Sequence, residues 1–185
     1  MGQATSREEK FWEACSYGRE WMVRDMIKEG IDVNYKSHIH DCYPIHAASQ
    51  GNPEIVRLLI EANCLVDARD INENTALHHA AMSGHAETVS ILLNSGASVN
   101  ASNNQFWTPL TNAAYWNHPD VVKLLLDHSA DPFWKNKVSV KEHETTILLP
   151  SLHQFHSGFL KVTFSFMSAD NCTYRILHFL SRTSF

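Results

Sequence analysis

Glycine is scarce, with seven in 185 residues, and none of it gathers into a phosphate-cradling loop, which argues against nucleotide chemistry. No basic run occurs and the formal charge is −5. A nucleic-acid binder would cluster Lys and Arg against phosphates, so nucleic acid is not an expected partner. No stretch reaches the roughly 18 consecutive apolar residues of a membrane helix, and the N-terminus lacks the apolar core of a secretory leader; the chain is expected to be neither transmembrane nor exported. The four cysteines, Cys15, Cys42, Cys64 and Cys172, form no C-x-x-C pair. That pattern fits a reducing, cytoplasmic setting better than a disulfide framework or zinc knot. No G-x-S-x-G elbow occurs, and no carboxylate pair is marked out by its context, so no oriented nucleophile or acid–base pair is legible. Expected, then, are no catalytic residue, no cofactor and no metal.

What is present is a hydrophobic share of 44%, enough for a real core, and a period. Gly18, Gly51, Gly84 and Asn117 recur every 33 residues. Small pairs keep the same step at Ala14-Cys15, Ala47-Ala48, Ala80-Ala81 and Ala113-Ala114, as do Val23, Val56, Val89 and Val122, each ahead of an aliphatic cluster. Each unit reads as a short helix with small residues for close approach, a turn, and a second helix with an apolar stripe. Neither helix can bury its stripe alone, so the units must stack.

The stretch TALHHAAMSGHAETVSILLNSGASVNA, residues 75–101, resembles the ankyrin repeat family most closely. The resemblance covers residues 8–136, in units of about 8–36, 37–69, 70–102 and 103–136, the first a capping unit. It implies an all-α solenoid of stacked helix-turn-helix units joined by β-turn loops. The second unit departs most: PIHAA is one residue short, so strict phase puts Cys42 where Thr75 and Thr108 stand, and the turn from Ser37 to Asp41 is expected to be distorted. In the last unit Thr111 replaces the usual His, Asn117 a turn Gly, and Ser129 the Gly that ends the second helix. Asn tolerates the left-handed conformation; Ser is a poorer substitute. Pro53 and Pro119, with Glu54 and Asp120, read as first-turn residues of outer helices.

Residues 137–185 fall outside the repeat. They hold six of the nine Phe, and FLKVTFSFM, residues 159–167, alternates apolar and polar positions as a half-buried strand would. Two readings stand side by side: a partly ordered plug against the stack, or a disordered or alternatively encoded end. At the other terminus, residues 1–7 fit the M-G-x-x-x-[ST] pattern with Gly2 as a myristoyl acceptor. One acyl chain gives an affinity of only about 10⁴ M⁻¹, and Glu8 and Glu9 offset Arg7 and Lys10. Any membrane association is therefore expected to be peripheral and reversible.

His38, His40, Cys42 and His46 lie close enough in sequence to suggest zinc. Their spacing argues otherwise, because His46 and His78 occupy the His of the family's P-L-H motif, and His85 and His118 follow the turns. In the family such histidines tie the backbones of adjacent turns together. Asn34 and Asn100 resemble asparagines that a cytosolic hydroxylase modifies in many ankyrin repeats; the alternative is plain turn service. The family meets partners through a concave face of turn tips and inner helices. The 33-residue phase carries that face onto Tyr17 in the cap, then His38, Ile39, Asp41 and Gln50. It continues through Ile71, Asn72, Asn74 and Met82 to Gln105, Trp107, Tyr115 and Trp116. Trp and Tyr at scaffold-free positions are typical interface anchors.

These readings converge on a monomeric, non-catalytic adaptor that recruits a protein partner, held in the cytoplasm or at a membrane surface. The alternative is the N-terminal regulatory part of a larger signalling enzyme, a kinase or ubiquitin ligase.

Overall fold

A computed structural model describes residues 6–132. Gly2 and the segment 137–185 lie outside the described residues. Helix α1 (Arg7–Ser16) opens the chain, with the Ser6 hydroxyl accepting the Glu9 N–H at 3.2 Å and Glu8 and Glu9 in the first turn. Both features suit a helix N-terminus. Seven further helices follow among the described residues: α2 (Glu20–Lys28), α3 (Pro44–Ala48), α4 (Pro53–Glu61), α5 (Ala76–Ser83), α6 (Ala86–Asn94), α7 (Pro109–Tyr115) and α8 (Pro119–Asp127). No strand occurs among the described residues.

The helices pair as α1/α2, α3/α4, α5/α6 and α7/α8, giving an inner layer α1–α3–α5–α7 and an outer layer α2–α4–α6–α8. The fold is an all-α solenoid, as the period demands. Val23, Val56, Val89 and Val122 are all buried, and so is every member of the four small pairs. With so little side chain between them, adjacent inner helices can approach closely. Pro53 and Pro119 are the first residues of α4 and α8, with Glu54 and Asp120 in the first turn. There the missing N–H is an orphan in any case.

Chain reversals use the left-handed region where the sequence pattern places them. Asn117 takes φ +62° and Ser129 takes φ +65°, the first comfortably for an Asn, the second as a strained stand-in for Gly. The second unit absorbs its missing residue in two places. Helix α3 is five residues long against eight in α5, and Gly51 adopts φ +148° where Gly84 has +75°. The preceding turn compensates with one residue more: it closes Ser37 N–H to the Cys42 carbonyl, whereas the next closes Asp70 to Asn74. Strict phase put Cys42 at the helix start; the structure puts Tyr43 there. The reason is His46, whose Nδ1 accepts the Tyr43 N–H at 3.0 Å, as His78 accepts the Thr75 N–H at 3.1 Å.

Candidate functional site

The fingers that connect each outer helix to the next inner helix are built around one polar side chain each. In the third unit this is Asp70, whose Oδ1 accepts the Asn72 and Asn74 N–H groups, both at 2.8 Å, while Oδ2 accepts His79 Nε2–H at 2.9 Å. Burial alone would raise the Asp70 pKa. The hydrogen bonds from His79 and Asn74 outweigh it and hold the carboxyl far below the usual carboxylate range. In the fourth unit Asn103 takes the same place, its Oδ1 accepting Gln105 and Trp107 N–H at 2.9 Å. Ser37 does so in the second, accepting from Ile39 and His40 N–H. A serine brings no charge, and the cap unit supplies it. Buried Glu9 accepts the Ser37 hydroxyl at 2.8 Å, the His38 N–H at 3.0 Å and the Tyr35 hydroxyl at 3.0 Å. Those bonds overcome the opposing effect of burial and lower its pKa.

Finger is tied to finger. His46 Nε2–H donates to the Ala68 carbonyl at 2.9 Å and His78 Nε2–H to the Trp107 carbonyl at 3.0 Å. Both imidazoles therefore use each nitrogen, one as donor and one as acceptor, and burial pushes both down to about 4. On the outer edge the Leu65, Ser98 and Asp131 N–H groups donate to Asn34, Asp67 and Asn100 side chains at 2.8, 3.0 and 2.8 Å. Asn34 and Asn100, the hydroxylation candidates, thus each brace the loop that follows the outer helix of the next unit. Asn103 Nδ2–H reaches Asn74 Oδ1 at 2.9 Å, and the Asn104 N–H reaches the Asn72 carbonyl.

On this braced frame the candidate contact residues divide. Tyr17, His38, Ile39, Asp41, Gln50, Ile71, Asn72, Gln105, Tyr115 and Trp116 are exposed. Asn74, Met82 and Trp107 are half-buried, Asn74 because its side chain serves Asp70 and Asn103. Ile39 and Ile71, on adjacent fingers, stand out at 65% and 64% exposure. Tyr17, Gln50, Ser83 and Trp116 each precede the unit's turn residue, forming one ridge that is aromatic at both ends. At the far end the Trp107 and Tyr115 rings lie 5.0 Å apart, and Tyr115 and Trp116 meet edge-on at 5.4 Å.

The histidines do not converge. Among the described residues no group of three or more His, Cys, Asp or Glu is placed to hold a metal. His40 instead stacks on Trp12, ring centroids 3.7 Å apart, and His118 Nε2–H donates to the Met82 carbonyl at 3.0 Å. Burial raises the thiols of Cys15, Cys42 and Cys64, the last to about 11, which suppresses the thiolate a nucleophile needs.

Sequence reasoning missed three features. Trp21 is 71% exposed on α2, at the phase of Glu54, Glu87 and Asp120 in the first turns of the other outer helices; the same period would have exposed it as an odd aromatic. Phe106 sits at φ +62° on the fourth finger, where only knowledge of the turn reveals the strain. Glu9 lies 28 residues from Ser37, and no local pattern announces that pairing.

A family model of ankyrin repeats, three copies, matches residues 44–136. A search of the curated proteins finds no match. The capping unit lies before the matched region, and the structure continues the helix-turn-helix pattern through it as α1 and α2.

Proposed function

The chain belongs to the ankyrin repeat family, and we propose that it is a non-catalytic adaptor whose concave face captures a protein partner. Ankyrin repeats generally mediate protein–protein interaction, and the family is typically non-catalytic. The observation that carries the reading is the exposure of Ile39, Ile71 and Trp116 on a frame whose backbone is locked by the Asp70, Asn103, His46 and His78 bonds. Large apolar side chains on a rigid support lose little conformational freedom on binding, which is how few residues come to dominate an interface. The partner buries the finger tips at one edge and the Tyr17–Trp116 ridge at the other. The adaptor acts as a monomer in the cytoplasm.

Myristoylation of Gly2 gives the adaptor a reversible hold on membranes, supported by the sequence pattern at residues 1–7. No helix among the described residues is long and apolar enough to cross a membrane. With one acyl chain and no net basic flank, bound partner must add to the hold for attachment to persist.

The test is the double variant Trp107→Ala, Trp116→Ala in a pull-down against a lysate, with Gly2→Ala in parallel. Loss of the main captured protein with an unchanged helical circular dichroism spectrum supports the concave-face reading. Unchanged capture sinks it. Gly2→Ala is expected to leave capture intact in detergent and to remove the protein from the membrane fraction; an unchanged membrane fraction defeats the lipid proposal alone.

A further inference from the structure

The fourth unit carries more aromatic surface than its scaffold uses. Trp116 is 52% exposed, with Tyr115 edge-on against it and Trp107 beyond. Phe106, next to Trp107 in the chain, is held left-handed at φ +62°. A bulky residue in that region is strained. We propose that this patch is the docking site of residues 159–167 of the same chain. The inference goes beyond the partner-binding reading and does not depend on it.

Position favours this occupant. The described structure ends at Pro132, in the unit that bears the patch, and only the linker 133–158 separates it from Phe159. At random-coil dimensions 26 residues would span roughly 28 Å root-mean-square. The effective concentration of the segment at the patch is then on the order of 1 mM, so a contact with a Kd near about 1 mM already fills half the sites. An external protein at micromolar concentration must bind far more tightly to displace it.

Pattern and charge agree. The alternation in FLKVTFSFM is such that, in an extended conformation, Leu160, Val162, Phe164 and Phe166 would share one side and Lys161, Thr163 and Ser165 the other. That apolar stripe matches an aromatic ridge, where edge-on and offset ring pairs add to area burial. Residues 6–132 hold nine Lys and Arg against seventeen Asp and Glu, a charge of −8, whereas residues 133–185 hold six against three, or +3. Opposite signs draw the tail as a whole toward the array.

The experiment is photo-crosslinking in the purified 185-residue chain, with no partner present. Trp116 is replaced by p-benzoyl-phenylalanine (Trp116→p-benzoyl-phenylalanine), with Gln105→p-benzoyl-phenylalanine as a second probe on the same unit and Asn94→p-benzoyl-phenylalanine on α6 as the control. Expected are intramolecular crosslinks from Trp116 or Gln105 to a peptide within 159–167, absent from the Asn94 probe. They are lost when Phe164→Asp and Phe166→Asp are added, substitutions that leave the array itself unaltered. Crosslinks confined to other tail residues, crosslinks only between two copies, or none to the tail from either probe overturn the proposal.

Discussion

His118 lies directly over Gly84. A Cβ built on Gly84 would meet the imidazole Nδ1 at 2.5 Å, and the same ring donates through Nε2–H to the Met82 carbonyl at 3.0 Å. The glycine thus serves two needs, a left-handed φ of +75° and room for the next unit's staple. Gly96 supplies the control, with φ +85° and nothing within 4 Å of its Cβ position. Gly96→Ala is expected to cost about 1 kcal/mol for the backbone alone. Gly84→Ala should cost roughly 2–3 kcal/mol, because the staple must also move. Urea denaturation of the two variants measures the gap; equal losses would mean that the His118 contact contributes nothing.

Thr88 faces the core of α6 at 0% exposure, and its hydroxyl has no hydrogen-bond partner. The equivalent residues of the neighbouring outer helices are Ile55 and Val121, both buried and both apolar. An unpaired buried hydroxyl carries its full desolvation penalty. Thr88→Val keeps the shape and removes that penalty, so stability should rise by about 1 kcal/mol. A midpoint that stays put or falls in a denaturant titration contradicts the assignment.

Acid should loosen the array before it reaches the usual carboxylate range. His46 and His78 are held neutral by burial, with pKa about 4, against about 6.5 in an unfolded chain. Depressed histidine pKa values mean that the unfolded state binds more protons between these limits. The stability is therefore complete above about pH 6.5 and falls as the pH drops toward 4. Each histidine contributes about 1.4 kcal/mol per pH unit in that window, so the pair should lose roughly 2–3 kcal/mol between pH 7.5 and 5.5. Asp70 acts in the same sense but lower: its depressed pKa gives stability that persists above about pH 4 and is lost only below. Denaturation at pH 7.5 and 5.5, repeated with His78→Asn, tests this. A wild-type curve indifferent to pH over that interval would refute the neutral-imidazole ladder.

The architecture was legible because stacking forces every unit to bury the same stripe. Val23, Val56, Val89 and Val122 had to recur, and they mark the units without any structure. The second unit was less legible, since a deletion in the inner helix and an insertion in the turn cancel in overall length. Only the reach of His46 to Tyr43 and Ala68 shows that Tyr43, not Cys42, begins the helix. Of the candidate surface, the phase located the exposed ridge and tips. It could not foresee that Asn74 would be drawn into the finger network, because that depends on an asparagine one unit away. Trp21 was not legible for a different reason: it lies on an outer helix, where the family resemblance places no contact surface.

Phe106 offers the sharpest test of strain against use. It occupies the left-handed place filled by Glu73 in the third finger and Asp41 in the second, at φ +62°, +62° and +52°. None of the three is glycine, yet only Phe106 is next in the chain to a member of the Trp107–Tyr115–Trp116 cluster. Glycine relieves the steric cost of this conformation but frees the unfolded chain, so Glu73→Gly should stabilise by no more than about 1 kcal/mol. Phe106→Gly removes the same strain together with a half-buried ring. If the ring packs against the cluster, the gain is cancelled and the melting temperature stays within about 2 °C of wild type. A rise for Phe106→Gly as large as that for Glu73→Gly would show that the ring packs against nothing, and that its strain is unsupported by the fold.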